Sequence, residues 1–292
     1  MNHLIHRLMS DVALVTEDTL TGWLNPSAGF EQAIGTAYLK MVEHAISSSG
    51  LTAGEDDWTA KIRESLKPKP RMANGVQVIP MHGPIAYAPD VMEMLFYGME
   101  DSRALNEAVT KAGDDSAVKA VVLDINSPGG MVSGGADVAD AVAQLAKKKP
   151  VVAYSGGMMA SLGYMIGSQA NSVVTSPSAT VGSIGVIMVH RDMSRLLKNA
   201  GIETNVIRNK EAVHKGAGVG RPITDEQMAH LQEKADGVFH EFKSMVRAKR
   251  PNVPDSAMLG QTFYGKEAKG QGLVDACGTM DSAISLCRRL IS

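Results

Sequence analysis

Two glycine-punctuated segments, about thirty residues apart, contain the residue types that acyl transfer requires. They are residues 126–130 (NSPGG) and residues 159–163 (MASLG). Each follows an apolar run typical of a buried strand, at 118–125 and at 151–154. Glycines at a strand end let the backbone turn sharply and leave N–H groups free for a ligand. A serine at the neighbouring turn would then supply a nucleophile beside donors for an oxyanion.

Ser161, in the second segment, is the candidate nucleophile. A serine before a helix also serves as an ordinary N-cap, which needs no chemistry. The small residues Gly156, Gly157 and Gly163 keep this serine in a tight turn, where a second glycine turn could converge on it. The local sequence therefore leaves both interpretations open.

Alternating strand and helix patterns run through the chain from Gly75 onward. Repeated βα units predict an α/β fold with a mostly parallel sheet covered by helices on both faces. Functional sites in such folds gather at the carboxyl ends of strands, where both glycine segments fall. The pattern predicts strands at 76–81, 118–125, 151–154, 172–175 and 204–207, and helices at 100–112, 131–147, 160–169, 191–200 and 225–250, the last with Thr224 as N-cap.

Residues 1–70 have a different pattern. Residues 29–47 show helical periodicity, and the Lys-Pro-Lys-Pro stretch at 67–70 cannot lie in a helix interior or a central strand. We therefore predict a helical N-terminal extension over residues 1–70 and a main domain over residues 71–292.

The composition is that of an ordinary globular protein. Of the 292 residues, 44% are hydrophobic and 21% are charged, and the net charge is −2. This balance gives no indication of a nucleic-acid partner or of an anionic membrane surface. No apolar run reaches the roughly 18 residues of a transmembrane helix, and Asp11, Glu17 and Asp18 interrupt any signal-peptide core. We therefore expect no membrane insertion and a cytoplasmic protein.

Several other chemistries lack their motifs. The chain has no G-x-x-x-x-G-K phosphate loop and no H-E-x-x-H zinc motif. Its two cysteines, Cys277 and Cys287, do not have zinc-site spacing. We therefore expect neither a metal nor a cofactor.

Five blocks, in order and at matching spacing, resemble the signal peptide peptidase A family of serine proteases. The blocks are SPGGMVSGGADVADAVA (127–143), MASLGYMIGSQA (159–170), ATVGSIGVIMVHRDM (179–193), HKGAGVGRPITDEQ (214–227) and TFYGKEAKGQGLVD (262–275). The resemblance covers roughly residues 72–290. It implies the ClpP/crotonase-type fold, and the branch it resembles most is that of phage head-maturation proteases of the protein C type.

The resemblance also implies the roles of individual residues. It assigns the nucleophile to Ser161, the general base to Lys215, the oxyanion-hole amides to Gly129 or Gly130 and to Leu162, and the orientation of the lysine amine to Ser183. A lysine acts as a base only when uncharged, and apolar surroundings favour that form. The small apolar residues on either side of Lys215 fit this requirement.

His190 is the alternative base, because relatives with the ClpP fold use a Ser-His-Asp triad. It follows Ser161 by 29 residues, and Asp192 is close in sequence. Histidine is the commoner general base near neutral pH. However, residues two apart at a strand end rarely stack as a triad pair, so Lys215 remains the preferred base.

The implied activity is that of a serine endopeptidase with a Ser161–Lys215 dyad. Its substrates would be extended polypeptides bound as an added strand, by resemblance phage capsid, scaffold or portal-associated proteins processed in the host cytoplasm or procapsid. The resemblance also implies a ring-like homo-oligomer. The alternatives are a bacterial cytosolic protease of the signal-peptide-peptidase type, a crotonase-like acyl-CoA enzyme and a non-catalytic assembly protein on the same fold.

Overall fold

A computed structural model describes residues 13–14 and 55–291. The helices are α1 (Glu55–Ser65), α2 (Val91–Tyr97), α3 (Ser102–Asp114), α4 (Gly135–Lys148), α5 (Leu162–Gly167), α6 (Ser194–Asn199), α7 (Asp225–Lys249), α8 (Gly265–Gly270) and α9 (Met280–Ile291). The strands are β1 (Ala13–Leu14), β2 (Arg71–Ala73), β3 (Val76–His82), β4 (Ile85–Ala86), β5 (Glu100–Asp101), β6 (Ala120–Asn126), β7 (Gly130–Met131), β8 (Val151–Ser155), β9 (Met158–Ala160), β10 (Ser172–Thr175), β11 (Thr180–Gly182), β12 (Thr262–Tyr264) and β13 (Ala276–Cys277).

The main sheet has six strands in the order β13-β10-β8-β6-β3-β2. Every neighbouring pair is parallel except β2 with β3. The sheet is buried on both faces, as parallel sheets usually are. On one face, Val121 and Leu123 of β6 share a core cluster with residues of α3, α4 and α5, whereas Val122 packs on the other face with Cys287 of α9. The predicted α/β class and mostly parallel sheet are confirmed.

Two smaller sheets adjoin the carboxyl ends of the main strands. One has the order β12-β11-β9, and the other has the order β1-β7-β4-β5. An isolated bridge between Ser127 and Met159 links the turn after β6 to β9. Both glycine segments therefore lie at the same edge of the main sheet, as the βα pattern predicted.

The 25-residue helix α7 begins where the sequence predicts. The Thr224 side chain accepts a hydrogen bond from the Gln227 N–H, and the Gln227 side chain accepts one from the Thr224 N–H, which completes a capping box. Just beyond the C-terminal end of α7, the buried Arg250 forms an ion pair with Asp275. Across the described residues, every helix is too short or too polar to cross a lipid bilayer.

Several sequence-based assignments differ from the structure, and one lies outside it. The helix predicted at 131–147 begins at Gly135, because Gly130–Met131 forms β7, and the helix predicted at 191–200 spans Ser194–Asn199. The predicted strand at 204–207 is wrong: this segment pairs with no other strand among the described residues, and Ile207 is 96% exposed. The helix predicted from residue 160 begins at Leu162, because Met158–Ala160 pairs with β11. The predicted helix at 29–47 lies outside the described residues. The division at residue 70 remains a prediction.

Candidate active site

Ser161 lies at the turn between β9 and α5 in a backbone conformation that non-glycine residues rarely adopt. Its φ is 50° and its ψ is −119°, and its N–H donates to the Gly182 carbonyl over 2.8 Å. The residue is 1% exposed, and its Oγ has no hydrogen-bond partner among the described residues. A strained backbone and an orphaned buried hydroxyl each carry a free-energy cost, and such features cluster at functional sites.

The first glycine segment is fixed directly beside this serine by backbone hydrogen bonds. The Ser127 N–H donates to the Met158 carbonyl over 2.8 Å, and the Ala160 N–H donates to the Ser127 carbonyl over 3.1 Å. The first turn of α5 also packs closely here, since a Cβ added to Gly163 would lie 3.1 Å from the Ser127 Cβ. The structure therefore brings the two segments together.

The two glycines of the turn differ in what their amides can do. The Gly129 N–H already donates to the Ser127 Oγ over 3.2 Å. The Gly129 carbonyl accepts from the Ile85 N–H over 2.9 Å. In a trans peptide the next N–H points the opposite way, so the Gly130 N–H points away from β4. Of these two predicted oxyanion donors, Gly129 uses its N–H within the turn, whereas the Gly130 N–H points away from β4.

Leu162, the other predicted oxyanion donor, is the first residue of α5. The first N–H groups of a helix have no acceptor within the helix. Its side chain packs against the start of α4, where a Cβ added to Gly135 would lie 2.6 Å from a Leu162 methyl group. The Leu162 amide is thus held at the same turn as Ser161.

Ser183 directly follows β11, the strand that runs parallel to β9. Its φ is 51°, it is 8% exposed, and its N–H donates to the Gln261 carbonyl over 2.8 Å. It also lines a groove of about 740 Å³ between residues 184–190 and α7, to which Leu231 and Phe239 contribute apolar surface. The structure therefore places Ser183 just after the strand beside Ser161, at one end of an apolar groove.

Lys215 makes no hydrogen bond with the Ser161 Oγ in a single copy of the chain. It is exposed in the segment between α6 and α7, where its N–H donates to the Ala212 carbonyl and its carbonyl accepts from Arg208. Because the Ser161 Oγ has no hydrogen-bond partner, the Ser–Lys dyad is not assembled in this conformation.

His190 lies close to the same segment and makes no triad in the described part of the chain. A Cβ on Gly218, whose φ is 72°, would collide with the His190 ring. The His190 Nε2 is buried and has no partner, and Asp192 instead accepts a hydrogen bond from the Ser194 N–H over 2.9 Å. The pairing that a Ser-His-Asp triad needs is therefore absent here.

A cluster that the sequence analysis missed lies at the ends of β3 and β6. The His82 Nε2 is 3.2 Å from Asp124 Oδ2, and the His82 N–H donates to Glu100 Oε1 over 3.2 Å. Burial raises the pKa of Glu100 to about 7, and the hydrogen bond to Asp124 raises the pKa of His82. Asp124 and Glu100 are far from His82 in sequence, so no spacing indicates that the three lie together. The only sequence signal for this cluster is the position of His82 at the end of a predicted strand.

The geometry defines an α/β domain with a serine at a sharp strand-to-helix turn, beside a glycine turn in which the Gly130 amide points away from β4. The model for "Peptidase family S49" matches residues 143–291. The chain therefore belongs to peptidase family S49, and the predicted resemblance is confirmed.

Curated relatives include proteins from archaea, bacteria and phages. The "Putative protease MJ0651" of Methanocaldococcus jannaschii is 35% identical over 195 residues, covering 65% of this chain and 62% of the relative. "Protease 4" of Salmonella typhi is 33% identical over 180 residues, covering 60% and 29%. "Capsid assembly protease C" of Escherichia phage lambda is 27% identical over 267 residues, covering 87% and 59%. The chain spans less than two thirds of the length of each of these relatives.

Among solved structures, an enoyl-CoA hydratase from Shewanella pealeana is similar to the chain. Its TM-score is 0.45 at 10% identity, and the match covers 82% of this chain and 77% of that structure.

Proposed function

We propose that the chain is a serine endopeptidase whose nucleophile is Ser161 and whose general base is Lys215. The observation that carries this proposal is the strained Ser161 with its buried, unpartnered hydroxyl, next to the glycine segment whose Ser127 carbonyl accepts from the Ala160 N–H. Membership of peptidase family S49 supports peptide hydrolysis over acyl-CoA chemistry. Residues 71–292 would form the protease domain and residues 1–70 an extension.

In the proposed reaction one amine carries out every proton transfer. The neutral Lys215 amine takes the proton of the Ser161 hydroxyl as Oγ attacks the peptide carbonyl carbon. The resulting oxyanion accepts hydrogen bonds from the Gly130 and Leu162 amides, of which one donor is worth about 10²–10³ in rate. The Lys215 ammonium then protonates the departing amine. Neutral Lys215 next takes a proton from the water that attacks the acyl-enzyme carbonyl, and returns it to the Ser161 Oγ as the ester bond breaks.

We infer that the dyad forms between copies of the chain, because within one copy the exposed Lys215 makes no hydrogen bond with the buried Ser161 Oγ. Large apolar side chains in the same part of the structure are exposed, including Leu196, Ile207 and Val219. Exposed apolar surface of this kind marks an interaction site. A ring in which Lys215 of one copy enters the site of the next would cover this surface. Ser183 would orient the incoming amine.

Mixing two inactive full-length variants tests the dyad and its location together. Ser161→Ala and Lys215→Ala, each assayed alone, should fail to cleave a peptide library. Random co-assembly should restore about a quarter of wild-type activity, because one site in four then receives an intact serine and an intact lysine. Lys215→Arg should stay inactive since its side chain remains charged. His190→Ala should keep activity, and full activity of Lys215→Ala would overturn the assignment of the base.

We further propose that the substrates are extended polypeptides of a phage head, cleaved in the host cytoplasm or procapsid. The match to a capsid assembly protease over 87% of this chain supports this class. Mass spectrometry after co-expression with the neighbouring open reading frames, wild type against Ser161→Ala, would identify cleaved products. Cleavage of secretory leader peptides instead would favour the bacterial alternative, which the similarity to Protease 4 supports. Incorporation into procapsids without any cleavage would favour a non-catalytic assembly protein.

A further inference from the structure

A two-residue strand near the N-terminus pairs with the strand that follows the glycine turn. Ala13–Leu14 forms β1, which pairs antiparallel with β7 in the register Ala13 to Met131 and Leu14 to Gly130. The pairing lies inside an apolar stretch, residues 12–15 (VALV), bounded by Asp11 and Glu17. Apolar and β-branched residues of this kind favour strands. A segment far from the turn in sequence is thus added to its edge.

The edge that β1 covers is the one that the Gly130 amide faces. On its other side β7 pairs in parallel with β4, through Ile85 and Gly130. The Ile85 N–H donates to the Gly129 carbonyl on the β4 side. The Gly130 N–H of the same peptide unit therefore points to the opposite side, toward β1. Leu14 is the residue opposite Gly130. A peptide whose carbonyl is to be attacked by Ser161 must approach this same amide.

We propose that the segment containing Ala13–Leu14 is an autoinhibitory strand, which occupies on the β7 edge the place that an extended substrate must take. The inference rests on the proposed function, since it assigns to Gly130 the role of an oxyanion donor. An added strand gains main-chain hydrogen bonds along the edge. Displacement of β1 exposes the Gly130 amide and opens the site.

Substitution of Leu14 in the full-length chain tests whether β1 inhibits. Leu14→Pro removes a backbone donor and disfavours a paired strand, whereas Leu14→Val keeps a strand-forming residue. Labelling of Ser161 by a fluorophosphonate should be about tenfold faster in Leu14→Pro than in wild type, and unchanged in Leu14→Val, if binding of the strand is worth about 1.4 kcal/mol. A peptide of residues 9–18 should slow the labelling of Leu14→Pro, and the same peptide with proline at position 14 should not. Equal labelling of wild type and Leu14→Pro would overturn the proposal.

A reversible tether provides a second, independent readout. Facing residues of an antiparallel pair lie about 4.5–5.5 Å apart at Cα, within the range that a disulfide can bridge. Ala13→Cys combined with Met131→Cys should therefore cross-link on mild oxidation and label about tenfold more slowly than its reduced form. The two single variants control for Cys277 and Cys287. Equal labelling of the oxidised and reduced forms would also overturn the proposal.

The two experiments separate this inference from the proposed function. Absence of labelling in every form, including the reduced double variant and Leu14→Pro, would overturn the proposed function and autoinhibition with it. The yield of the disulfide would still show whether the strand lies on β7. Labelling that is insensitive to both changes would leave the protease intact and remove the inhibitory strand alone.

Discussion

Ser161 and Ser183 directly follow two neighbouring parallel strands, and both have a positive φ, of 50° and 51°. Ala160 pairs with Gly182 in the register of β9 and β11, and the Ser161 N–H donates to the Gly182 carbonyl. The proposed nucleophile and the residue proposed to orient its base therefore occupy equivalent positions on one small sheet. Their separation is set by strand pairing and not by the conformation of a loop.

The strain at Ser161 predicts a stability difference between two inactive variants. Its φ of 50° and ψ of −119° fall in a region that glycine occupies without strain. Ser161→Gly should therefore be more stable than Ser161→Ala by about 1 kcal/mol in urea unfolding. Ser168, whose φ is −63°, is a matched control, and there the glycine variant should be the less stable one. Equal stability of the two variants at position 161 would show that the backbone is not strained.

Gly130 should tolerate no side chain. A Cβ at this position would collide with the Ile85 carbonyl, so Gly130→Ala must separate β7 from β4. We expect a loss of about 1–3 kcal/mol of folding free energy and loss of fluorophosphonate labelling. Gly237 lies within α7 with no atom near the added Cβ, and Gly237→Ala should instead stabilise the chain by up to about 1 kcal/mol. Thermal and urea unfolding measure both effects.

The partly buried carboxyl of Glu100 should make stability fall as pH rises. Burial raises its pKa from 4.5 to about 7, so the folded state binds the proton more tightly than the unfolded state. The resulting stability is present below about pH 4.5 and is lost as pH rises toward 7, by at most about 3 kcal/mol. The raised pKa of His82 acts in the same direction, since its contribution is lost as pH rises above 6.5.

Glu100→Gln keeps an acceptor for the His82 N–H and removes the titration. Its unfolding free energy should equal that of wild type near pH 4.5 and exceed it near pH 8, so that the slope between them becomes shallower. Glu203→Gln changes an exposed carboxylate and should keep the wild-type slope. An unchanged slope in Glu100→Gln would mean that another group is responsible.

The capping box of α7 should contribute measurably to stability. Thr224→Ala removes the acceptor of the Gln227 N–H and should cost about 1 kcal/mol. Thr224→Ser keeps the hydroxyl and should lower the unfolding free energy by only a few tenths of 1 kcal/mol. Hydrogen exchange of the first turn of α7 would locate the effect, and equal exchange in the two variants would contradict it.

The buried strands could be predicted from the sequence because they combine β-branched composition with clear boundaries. Residues 172–175 are a strand in the prediction and in the structure, and β3, β6 and β8 differ only at their ends. The short strands β9 and β11 could not be predicted, since three residues have no periodicity and form only through pairing. The segment 204–207 has strand-like composition but no partner strand, so its composition misled the prediction.

Site residues could be predicted from the sequence where their position depends on a local turn. They could not be predicted where it depends on packing between segments that are distant in sequence. Ser161 and Gly130 lie within short motifs whose glycines indicate a turn. The environment of Glu100 arises from the packing of β3 beside β5, which no local pattern encodes. The position of Lys215 relative to Ser161 depends on contacts beyond a single chain, in our proposal, and so could not be read from spacing.

The main-chain hydrogen bonds of Ser161 have a practical consequence for identifying substrates. Because β11 holds Ser161 and the turn at Ser127 holds the preceding Ala160, replacing Lys215 should leave the recognition surface unaltered. A base-deficient chain can thus serve as bait that retains its targets without processing them. Isolation of such stalled complexes would reveal the natural clients directly.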